Sequence, residues 1–457
     1  MITRDVQEVL SRAVSTFVDP DNAFRDKLEK KQKGEYDRDI VIKLGVDPTR
    51  PDIHLGHAVL LRKLRQFQDL GAKVIFLVGD VTASIGDPTG KSKVRPEISG
   101  AEIQKNMQTY LDQMGKILST DPKVFAWITN SEWFVNVTDI AAPASTVELD
   151  GKSIDPNSFL GKAILYENTR IQRTSLKKDA IATSSLINFL SFLKGITHSR
   201  LIARDMFQER IAKGEELYMH EMMYPVLQGI DSVMIARIFG SCDLEIGGTD
   251  QTFNMLMGRD TMRMAQLPEQ SVMSLEILPG LDGKEKMSKS LDNYIAITDA
   301  PNDMYGKVMS IPDTAIAVYF RLATYTPVEE VENIEKELSG GKTNPKDVKM
   351  RLARQIVAEY HGEEAAKSAE ANFVETFSKG GIPTDIETVQ AAAGDKLVDI
   401  LLGQSVVESK SEWRRLVDDG AVRNAETDQK IENPDAALEA PIILKVGKRR
   451  FIKIDIL

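Results

Sequence analysis

The stretch VIKLGVDPTRPDIHLGHAVLLRKLRQFQDLGAKVIFLVGD (41–80) decides the predicted fold. Its two ends, VIKLGV (41–46) and AKVIFLVGD (72–80), are apolar runs of the kind that form buried strands. Between them, AVLLRKLRQFQDLG (58–71) has apolar residues at helical spacing and ends at Gly71, a residue typical of a helix terminus. A strand, a helix and a second apolar strand form a βαβ unit. We therefore predict an α/β fold with a parallel sheet and helices on both of its faces.

Two loops follow the predicted strands directly. DPTRPDIHLGH (47–57) follows the first strand, and GDVTASIGDPTGKS (79–92) follows the second. In an open parallel sheet, ligands bind beyond the carboxyl ends of the strands, because loops from neighbouring strands meet there. We therefore expect both loops to contribute to one shared site.

The composition is that of a globular chain without disulfides. It has 457 residues, 42% of them hydrophobic, and a formal net charge of −10; this length suits roughly two to four domains. The single cysteine, Cys242, excludes an intrachain disulfide and indicates a reducing cytosol. Residues 1–17 lack the apolar core of a signal peptide, and no run approaches the ~18 apolar residues of a membrane span. We predict a cytoplasmic protein without a membrane partner.

Two histidines, His54 and His57, flank Gly56 where the first loop enters the predicted helix. A metal site is not predicted, because the pair lacks further ligands and the other histidines are scattered. Acid–base chemistry and a capping role in the turn remain open at this point. A helix amino terminus attracts anions and Gly56 permits a close approach. The pair is therefore also suited to bind a phosphate through two imidazole N–H groups.

KMSKS (286–290) is the second candidate for phosphate binding. The preceding glycines indicate a loop, in which Lys286 and Lys289 would pair with phosphate oxygens and the serines would donate hydroxyl hydrogen bonds. Alone, such a pentapeptide is typical of a solvated loop. Together, HLGH (54–57) and KMSKS resemble the two signature motifs of class I aminoacyl-tRNA synthetases, with leucine in place of the commoner isoleucine in the first motif.

The segment LYMHEMMYPVLQGIDSVMIARIF (217–239) carries Tyr224, Gln228 and Asp231 within an apolar helical run. Their i, i+4, i+7 spacing places the three side chains on one helix face. One interpretation is the solvated face of an amphipathic helix. The other is a buried polar face, which needs a polar ligand or partner. The series resembles the amino-acid pocket of tyrosyl-tRNA synthetases.

The resemblance covers nearly the whole chain, including GDPTGKS (86–92) and GGTDQ (247–251). In that family the helix tyrosine and glutamine, with the aspartate of the Gly-Asp-Pro segment, hold the substrate ammonium group. The helix aspartate accepts a hydrogen bond from the phenolic hydroxyl. The implied tyrosine-binding residues are Gly45, Asp47, Asp87, Tyr224, Gln228 and Asp231. The implied ATP-binding residues are Thr49, Gly56, Gly248, Asp250, Gln251, Ser288 and Lys289. The implied catalytic residues are His54, His57, Lys286 and Lys289, and no metal ligand is implied.

One position departs from the family pattern. KLGVDPT (43–49) has Lys43 where the family often has a tyrosine that binds the substrate hydroxyl, whereas Gly45, Asp47 and Thr49 match. Asp231 would then either work with another partner or lie in a pocket with a different wall. Phenylalanine would leave a buried acceptor unsatisfied, so its rejection should need no editing domain.

The resemblance implies a reaction in two steps. The tyrosine carboxylate attacks the α-phosphorus of ATP in line and expels pyrophosphate. The carboxylate is already ionised, so catalysis rests on positioning and on neutralising the charge that moves towards pyrophosphate. Mg²⁺ accompanies ATP, and no tightly bound cofactor is expected. The second step transfers tyrosyl to the 3′ end of tRNA(Tyr), without a dedicated general base.

The predicted organisation has three domains. Residues 1–295 form a Rossmann-like catalytic domain with an insertion at about 125–220 and a KMSKS loop at 284–292. Residues 296–392 form a helical anticodon-side domain, and residues 393–457 form a small α+β domain. The resemblance also implies a homodimer, with its contact in the insertion.

The carboxyl-terminal part of the chain predicts an RNA partner. SKSEWRRLVDDGAVR (409–423) and the following IILKVGKRRFIKI resemble the S4 RNA-binding module. KVGKRRFIK (445–453) has five basic and no acidic residues, which makes a local patch in an acidic chain. Asp418 and Asp419 do not suit a phosphate backbone, and a solvated strand end is the alternative interpretation.

Three other functions stay open on sequence. A small nucleotidyltransferase would account for the histidine motif but would not predict KMSKS or the basic tail. A catalytically inactive relative that only binds RNA would be expected to have lost one phosphate-binding motif, and both are intact. The tryptophanyl enzyme is the nearest substrate alternative, although Asp231 suits a phenol better than an indole.

Overall fold

The computed structural model describes most of the chain and divides it into two compact units. The described residues are 5–48, 53–87, 106, 109, 110, 112–134, 147–149, 152–154, 186–375, 386, 388–404, 406, 407, 409–447 and 450–456. The first unit comprises Met1–Asp299 and Ser310–Leu352, and the second comprises Ala300–Met309 and Ala353–Leu457. The three-domain division made from sequence stays a prediction.

The first unit is built on one mixed sheet. In chain order its strands, with a short separate hairpin, are β1 (Val14–Val18), β2 (Val41–Val46), β3 (Lys73–Val78), β4 (Phe125–Thr129), β5 (Val147–Leu149), β6 (Lys152–Ile154), β7 (Leu244–Gly248) and β8 (Ser271–Leu275). Among the described residues, six strands form the sheet in the order β1-β8-β7-β2-β3-β4. All neighbours pair in parallel except β1, which is antiparallel to β8. The predicted α/β fold is confirmed, with one antiparallel edge strand added.

The strand order reverses at β2. From β2 the chain continues to β3 and β4 on one side, and it later returns to β7 and β8 on the other. Such a reversal leaves a crevice at the carboxyl ends of the two central strands, where ligands of doubly wound sheets bind. Only two residues of β2 have register partners in β7 within the described chain: Ile42 with Leu244, and Lys43 with Glu245.

Helices cover the sheet. In the first unit they are Val6–Ser11, Ala23–Gln32, Leu55–Asp69, Asp80–Ile85, Ser131–Phe134, Leu186–Leu193, His198–Ile202, Asp205–Lys213, Met219–Phe239, Thr252–Met264, Ile316–Ala323 and Val328–Ser339. The helix that follows β2 ends at Asp69, slightly before the predicted Gly71, which adopts a positive φ of 85° in the turn. Helix Pro345–His361 begins in the first unit and ends in the second.

The long helix Met219–Phe239 lies at the centre of a large apolar cluster. Its side chains pack with Trp133, Phe207 and residues of the central strands. It approaches helix Thr252–Met264 closely, because Gly229 has no side chain: a Cβ there would lie 2.8 Å from Thr261 Cγ2. Burial on nearly all sides explains why its polar residues must find partners inside the protein.

Arg12 fastens the amino terminus to the helices after the sheet. Its buried guanidinium donates to the carbonyls of Thr326 at 2.6 Å, Thr324 at 2.8 Å, Arg321 at 3.2 Å and Phe320 at 3.3 Å. Those carbonyls lie at and beyond the carboxyl end of helix Ile316–Ala323, where backbone acceptors have no helical partner. One side chain thereby satisfies the end of a helix that lies far away in sequence.

We predict that Arg12→Met lowers the free energy of unfolding by about 3 kcal/mol, because the buried carbonyls would lose charged donors. Denaturant unfolding of the full chain measures this. Arg65→Met is the control: Arg65 pairs with Asp69 at 3.0 Å in a partly exposed position, so its loss should stay below about 1 kcal/mol. Equal effects of the two substitutions would contradict the role assigned to Arg12.

The second unit contains helices and a small sheet. Helices Pro301–Met309 and Glu363–Phe373 pack through Tyr305 and Phe373, whose rings lie 5.4 Å apart. The small domain contains, in chain order, β9 (Thr388–Ala391), helices Leu397–Gly403 and Lys410–Asp418, β10 (Val422–Asn424), β11 (Ile442–Val446) and β12 (Arg450–Ile456). The four strands form a sheet in the order β10-β11-β12-β9. Trp413, Leu444 and Ile452 belong to its core. Among the described residues, no helix is both long and apolar enough to cross a bilayer.

Candidate active site

A cavity of about 770 Å³ opens at the carboxyl ends of β2 and β7. It lies where the strand order reverses, as expected for the shared site of the two loops. Its lining includes every described residue predicted for tyrosine binding, ATP binding or catalysis: Gly45, Asp47, His54, Gly56, His57, Asp87, Tyr224, Gln228, Asp231, Gly248, Asp250, Gln251, Lys286, Ser288 and Lys289. Thr49, and the part of GDPTGKS that follows Asp87, lie outside the described residues.

His54 and His57 stack at the entrance of helix Leu55–Asp69. Their ring centroids are 3.8 Å apart with an interplanar angle of 23°. The backbone N–H of His54 points to His57 Nδ1 at 3.4 Å, which assigns the His57 proton to Nε2. Burial, with the charges of His57 and Lys289, lowers the pKa of His54 to about 2. Burial, with the charges of Lys289 and Lys286, lowers the pKa of His57 to about 4. Both imidazoles are therefore neutral hydrogen-bond donors at pH 7.

The chain just after the KMSKS segment is joined to the histidine segment by backbone hydrogen bonds. Leu55 N donates to Ile295 O at 2.9 Å, and Ile297 N donates to Ile53 O at 3.0 Å. Lys289 Nζ lies 5.8 Å from the ring of Tyr294, which also contacts His54. Two motifs that are far apart in sequence therefore share one wall of the cavity.

Asn293 and Asp282 hold the base of the KMSKS loop. Asn293 Oδ1 accepts from Ser288 N at 2.8 Å, and Asn293 Nδ2 donates to Asp282 Oδ2 at 2.7 Å. Gly280 is required beside them, since a Cβ there would lie 2.2 Å from Asn293 Nδ2. Lys286 Nζ lies 3.5 Å from Asp250 Oδ2, a partly exposed pair across the cavity.

Asp47 lies at the end of β2 in a small hydrogen-bonded group. Its carboxylate accepts from Tyr224 OH at 2.7 Å and from Thr82 Oγ1 at 2.8 Å. Burial and the Asp47 charge raise the pKa of Tyr224 well above its usual value, so the phenol stays protonated. A Cβ at Gly79 would lie 2.2 Å from both Asp47 Oδ1 and Thr82 Oγ1. The group therefore requires glycine at that position.

A chain of amides connects Asp87 with the long helix. Asp87 Oδ2 accepts from Gln251 Nε2 at 2.6 Å, and Arg204 Nη2 lies 3.8 Å from Asp87 Oδ1. Asn254 Nδ2 donates to Gln251 Oε1 at 3.1 Å and to Gln228 Oε1 at 3.0 Å. The three candidates that come from separate segments, Asp87, Gln251 and Gln228, thus form one continuous polar wall.

Asp231 is buried at the base of the cavity, with 3% of its surface exposed. Trp133 Nε1 donates to Asp231 Oδ1 at 3.0 Å. Burial raises the pKa of Asp231 to about 7, although the Lys43 charge and the bonds from Trp133 and Asn130 act in the opposite direction. The polar face of helix Met219–Phe239 is therefore turned into the protein. This agrees with the interpretation of a buried polar face and not with that of a solvated face.

Comparison with known proteins identifies the family. A family model described as tRNA synthetases class I (W and Y) matches residues 35–378. A tyrosine–tRNA ligase from Desulfotalea psychrophila is 39% identical over 434 residues, which cover 94% of each chain. One from Mannheimia succiniciproducens is 37% identical over 456 residues, covering 100% of this chain and 97% of its own. The chain belongs to the tyrosine–tRNA ligase family.

The fold of this tyrosine–tRNA ligase family member is also similar to a solved structure. A C-terminally truncated mitochondrial tyrosyl-tRNA synthetase from Aspergillus nidulans superposes with a TM-score of 0.56 at 20% identity. The match covers 81% of this chain and 94% of that one. At this level of identity, the likeness supports the class I fold that the sequence predicted.

Several residues of the ligase site were not predicted from sequence. They are Gly79, Thr82, Asn130, Trp133, Arg204, Glu245 and Asn254, which position or contact the predicted residues. Glu245 carried a signal: it is a charged residue within LEIGG, the run that forms β7. Trp133 carried none, because its tie to Asp231 joins residues far apart in the chain. No group of three or more potential metal ligands occurs in the part of the chain that the structure describes.

We predict that Gly79→Ala displaces Asp47 and Thr82, since the new Cβ would lie 2.2 Å from both side chains. Loss of this order should raise the KM for tyrosine at least about tenfold, which corresponds to about 1.4 kcal/mol. Tyrosine-dependent exchange of pyrophosphate into ATP measures it. Gly306→Ala is the matched control, because a Cβ there meets nothing within 4 Å. A KM equal to that of the control would show that the close packing is dispensable.

Proposed function

We propose that this chain activates tyrosine with ATP, giving tyrosyl-adenylate and pyrophosphate, and then transfers tyrosyl to the 3′ end of tRNA(Tyr). The observation that carries the proposal is the shared cavity. It combines a buried polar set on the long helix, Tyr224, Gln228 and Asp231, with histidines and lysines of the two signature motifs. One set suits an amino acid, the other suits phosphates, and the reaction joins these two ligands.

The amino-acid subsite would hold tyrosine at both ends. Asp87, Tyr224 and Gln228 each offer an oxygen to the substrate ammonium group: Tyr224 donates its proton to Asp47, so its lone pairs can accept. The phenolic hydroxyl would donate a hydrogen bond to Asp231, whose carboxylate is buried. Gly45 would let the ring approach the backbone of β2. Phenylalanine would leave Asp231 unsatisfied, which is the physical basis for its rejection.

The phosphate subsite would act on the charge that develops during the first step. The tyrosine carboxylate is the nucleophile, and the leaving pyrophosphate gains negative charge as the bond to the α-phosphorus breaks. His54 and His57 would donate neutral N–H groups, and Lys286 and Lys289 would add positive charge. Mg²⁺ would enter with ATP, bound mainly through phosphate oxygens.

The nucleotide subsite would use the end of β7. Asp250 would bind the ribose hydroxyls, with Gly248 leaving room: a Cβ at Gly248 would lie 2.7 Å from Asp250 Oδ1. Lys286 pairs with Asp250 in this structure. Ribose binding would take the place of this pair, so Lys286 would become available to the phosphates. Gln251, Gly56, Ser288 and Thr49 complete the proposed contacts with ATP and the adenylate.

Exchange of labelled pyrophosphate into ATP tests the first step. We expect exchange with tyrosine and not with tryptophan or phenylalanine. Asp231→Ala should reduce the preference for tyrosine over phenylalanine about tenfold to a hundredfold, because it removes a buried acceptor. Lys289→Ala is the counterpart: it should lower the exchange rate by about two orders of magnitude and leave that preference unchanged. Exchange with tryptophan alone would refute the substrate, and no exchange with any amino acid would refute the activity.

We further propose that the carboxyl-terminal domain is an S4-like RNA-binding module. Helix Lys410–Asp418 buries Trp413 and Val417 and exposes Arg414 and Arg415. A pair of exposed arginines on one helix suits contact with phosphates of tRNA. An RNA-binding module is consistent with the proposed transfer of tyrosyl to tRNA. The proposed location of the protein is the cytoplasm.

We predict that the double charge reversal Arg414→Glu/Arg415→Glu raises the KM for tRNA about tenfold and reduces its salt dependence, since phosphate contacts release counterions. Aminoacylation assays at several salt concentrations measure both effects. Tyrosine-dependent exchange should not change, because it needs no tRNA. Lys336→Glu, a reversal on an exposed helix of the first unit, is the control. Unchanged aminoacylation by the double variant would remove this helix from the RNA contact.

A homodimer is the proposed assembly. Leu190, Ile211 and Met219 are large apolar side chains that are exposed on three helices between 186 and 239. This region includes the end of the predicted insertion. If these side chains form one contiguous patch, they are of the kind that a second protein chain covers.

A further inference from the structure

Lys43 occupies the position of the hydroxyl-binding tyrosine but does not offer a donor to the cavity. Its side chain is fully buried. Its ammonium group contacts Gln228 O at 2.8 Å, Ser232 Oγ at 2.9 Å and Glu245 Oε1 at 3.0 Å. An ammonium group has three N–H donors, and these three acceptors match them. Direct contact between Lys43 and the substrate hydroxyl is therefore not its role.

Glu245 connects the ammonium group to the surrounding wall. Its carboxylate also accepts from Gln228 Nε2 at 3.0 Å, Ser232 Oγ at 3.2 Å and Gln270 Nε2 at 2.5 Å. Lys43 and Glu245 are direct register partners in β2 and β7. The pair therefore joins the two central strands, and it binds both the backbone and the side chain of Gln228.

Asp231 lies one residue before Ser232, on the helix that the ion pair contacts. The charged or titratable groups that face it are Lys43 from β2, Glu245 from β7 and Tyr224 from its own helix, and Trp133 and Asn130 contribute hydrogen bonds. Lys43 favours the carboxylate form of Asp231, whereas Glu245 opposes it. The charge of Asp231 thus depends on the balance of a pair that it does not contact.

We propose that Lys43, in its pair with Glu245, is a positioning residue for tyrosine recognition: it fixes Gln228 at the edge of the amino-acid subsite and favours the carboxylate form of Asp231. This proposal rests on the proposed function, in which Asp231 accepts the substrate hydroxyl. A carboxylate is a stronger acceptor than a carboxylic acid. The family position that elsewhere contacts the hydroxyl would here act on the partner of the hydroxyl.

If the Lys43–Glu245 pair had a purely structural role, its replacement would have a different effect from the one proposed. An apolar pair of similar size fills a buried site as well as an ion pair does, and it often gives equal stability. Such a replacement would change the stability of the protein but would not move the pH dependence of tyrosine use. Opposite shifts on removal of the two opposite charges can arise only through electrostatic action on a titrating group.

The test is the pH profile of kcat/KM for tyrosine in pyrophosphate exchange, measured with the full chain between pH 5.5 and 9. The unsubstituted protein should lose activity as the pH falls through about 7, where Asp231 becomes protonated. Lys43→Met should move this midpoint upward by about one pH unit, with about a fivefold loss at pH 7 that is regained at higher pH. Glu245→Gln should move the midpoint downward.

Controls separate this effect from damage to the fold. The double variant Lys43→Met/Glu245→Gln leaves no unpaired charge, so it carries the test if a single variant does not fold, and its midpoint should lie between those of the single variants. Arg210→Met/Glu221→Gln removes another buried pair, 2.8 Å apart and outside the cavity lining. It should change thermal stability without changing the midpoint.

Three outcomes would contradict these proposals, and they contradict different statements. Midpoints that agree among all folded variants and the unsubstituted protein would refute the role of Lys43 while leaving the proposed function intact. Absence of tyrosine-dependent exchange in the unsubstituted protein would refute the proposed function itself. Shifts of the same sign in Lys43→Met and Glu245→Gln would also refute the proposal, because they would indicate a general disturbance of the site.

Discussion

The contact between β2 and β7 is the constraint on which the rest of the site depends. The two strands join the halves of the sheet, and their register pairs Lys43 with Glu245. Two opposite charges with no access to water must pair, because an unpaired buried ion costs several kcal/mol. The pair joins the strands beside Gly45 and Gly247, and all four residues line the cavity. The loops that follow these two strands leave the sheet next to this pair.

Burial sets the ionisation of the groups that line the cavity. It keeps His54 and His57 neutral, keeps Tyr224 protonated and brings the pKa of Asp231 to about 7. Neutral imidazoles beside two lysines avoid a concentration of four positive charges. Positive charge then comes from the more exposed Lys286 and Lys289, on a loop whose base Asn293 holds. In the proposed reaction these donors would be in place before a phosphate arrives, so little reorganisation would be needed.

The elements predicted from sequence were those whose signal is local. The strands formed by VIKLGV and AKVIFLVGD could be predicted because continuous apolar runs suit a sheet covered on both faces. The helix between them was confirmed with its end slightly earlier than predicted. The antiparallel edge strand β1 pairs with β8, far along the chain, and no local pattern encodes such pairing. The same reason explains why Trp133, Arg204 and Asn254 were missed: each contributes through a contact between distant segments.

Lys43 and Glu245 are the instructive case, since both stand as charges within apolar strands. Alone, each charged residue is only an exception to the apolar pattern of its strand. Together, two opposite charges in two apolar strands indicate a buried ion pair. The resemblance places Lys43 where the family often has a hydroxyl-binding tyrosine, and in the structure its ammonium group contacts Gln228, Ser232 and Glu245. An aromatic hydroxyl at this position would share the recognition of the substrate with Asp231. With the ammonium group occupied elsewhere, the proposed recognition of the hydroxyl would rest on the charge of Asp231, which would make the electrostatic balance around that carboxylate part of the specificity.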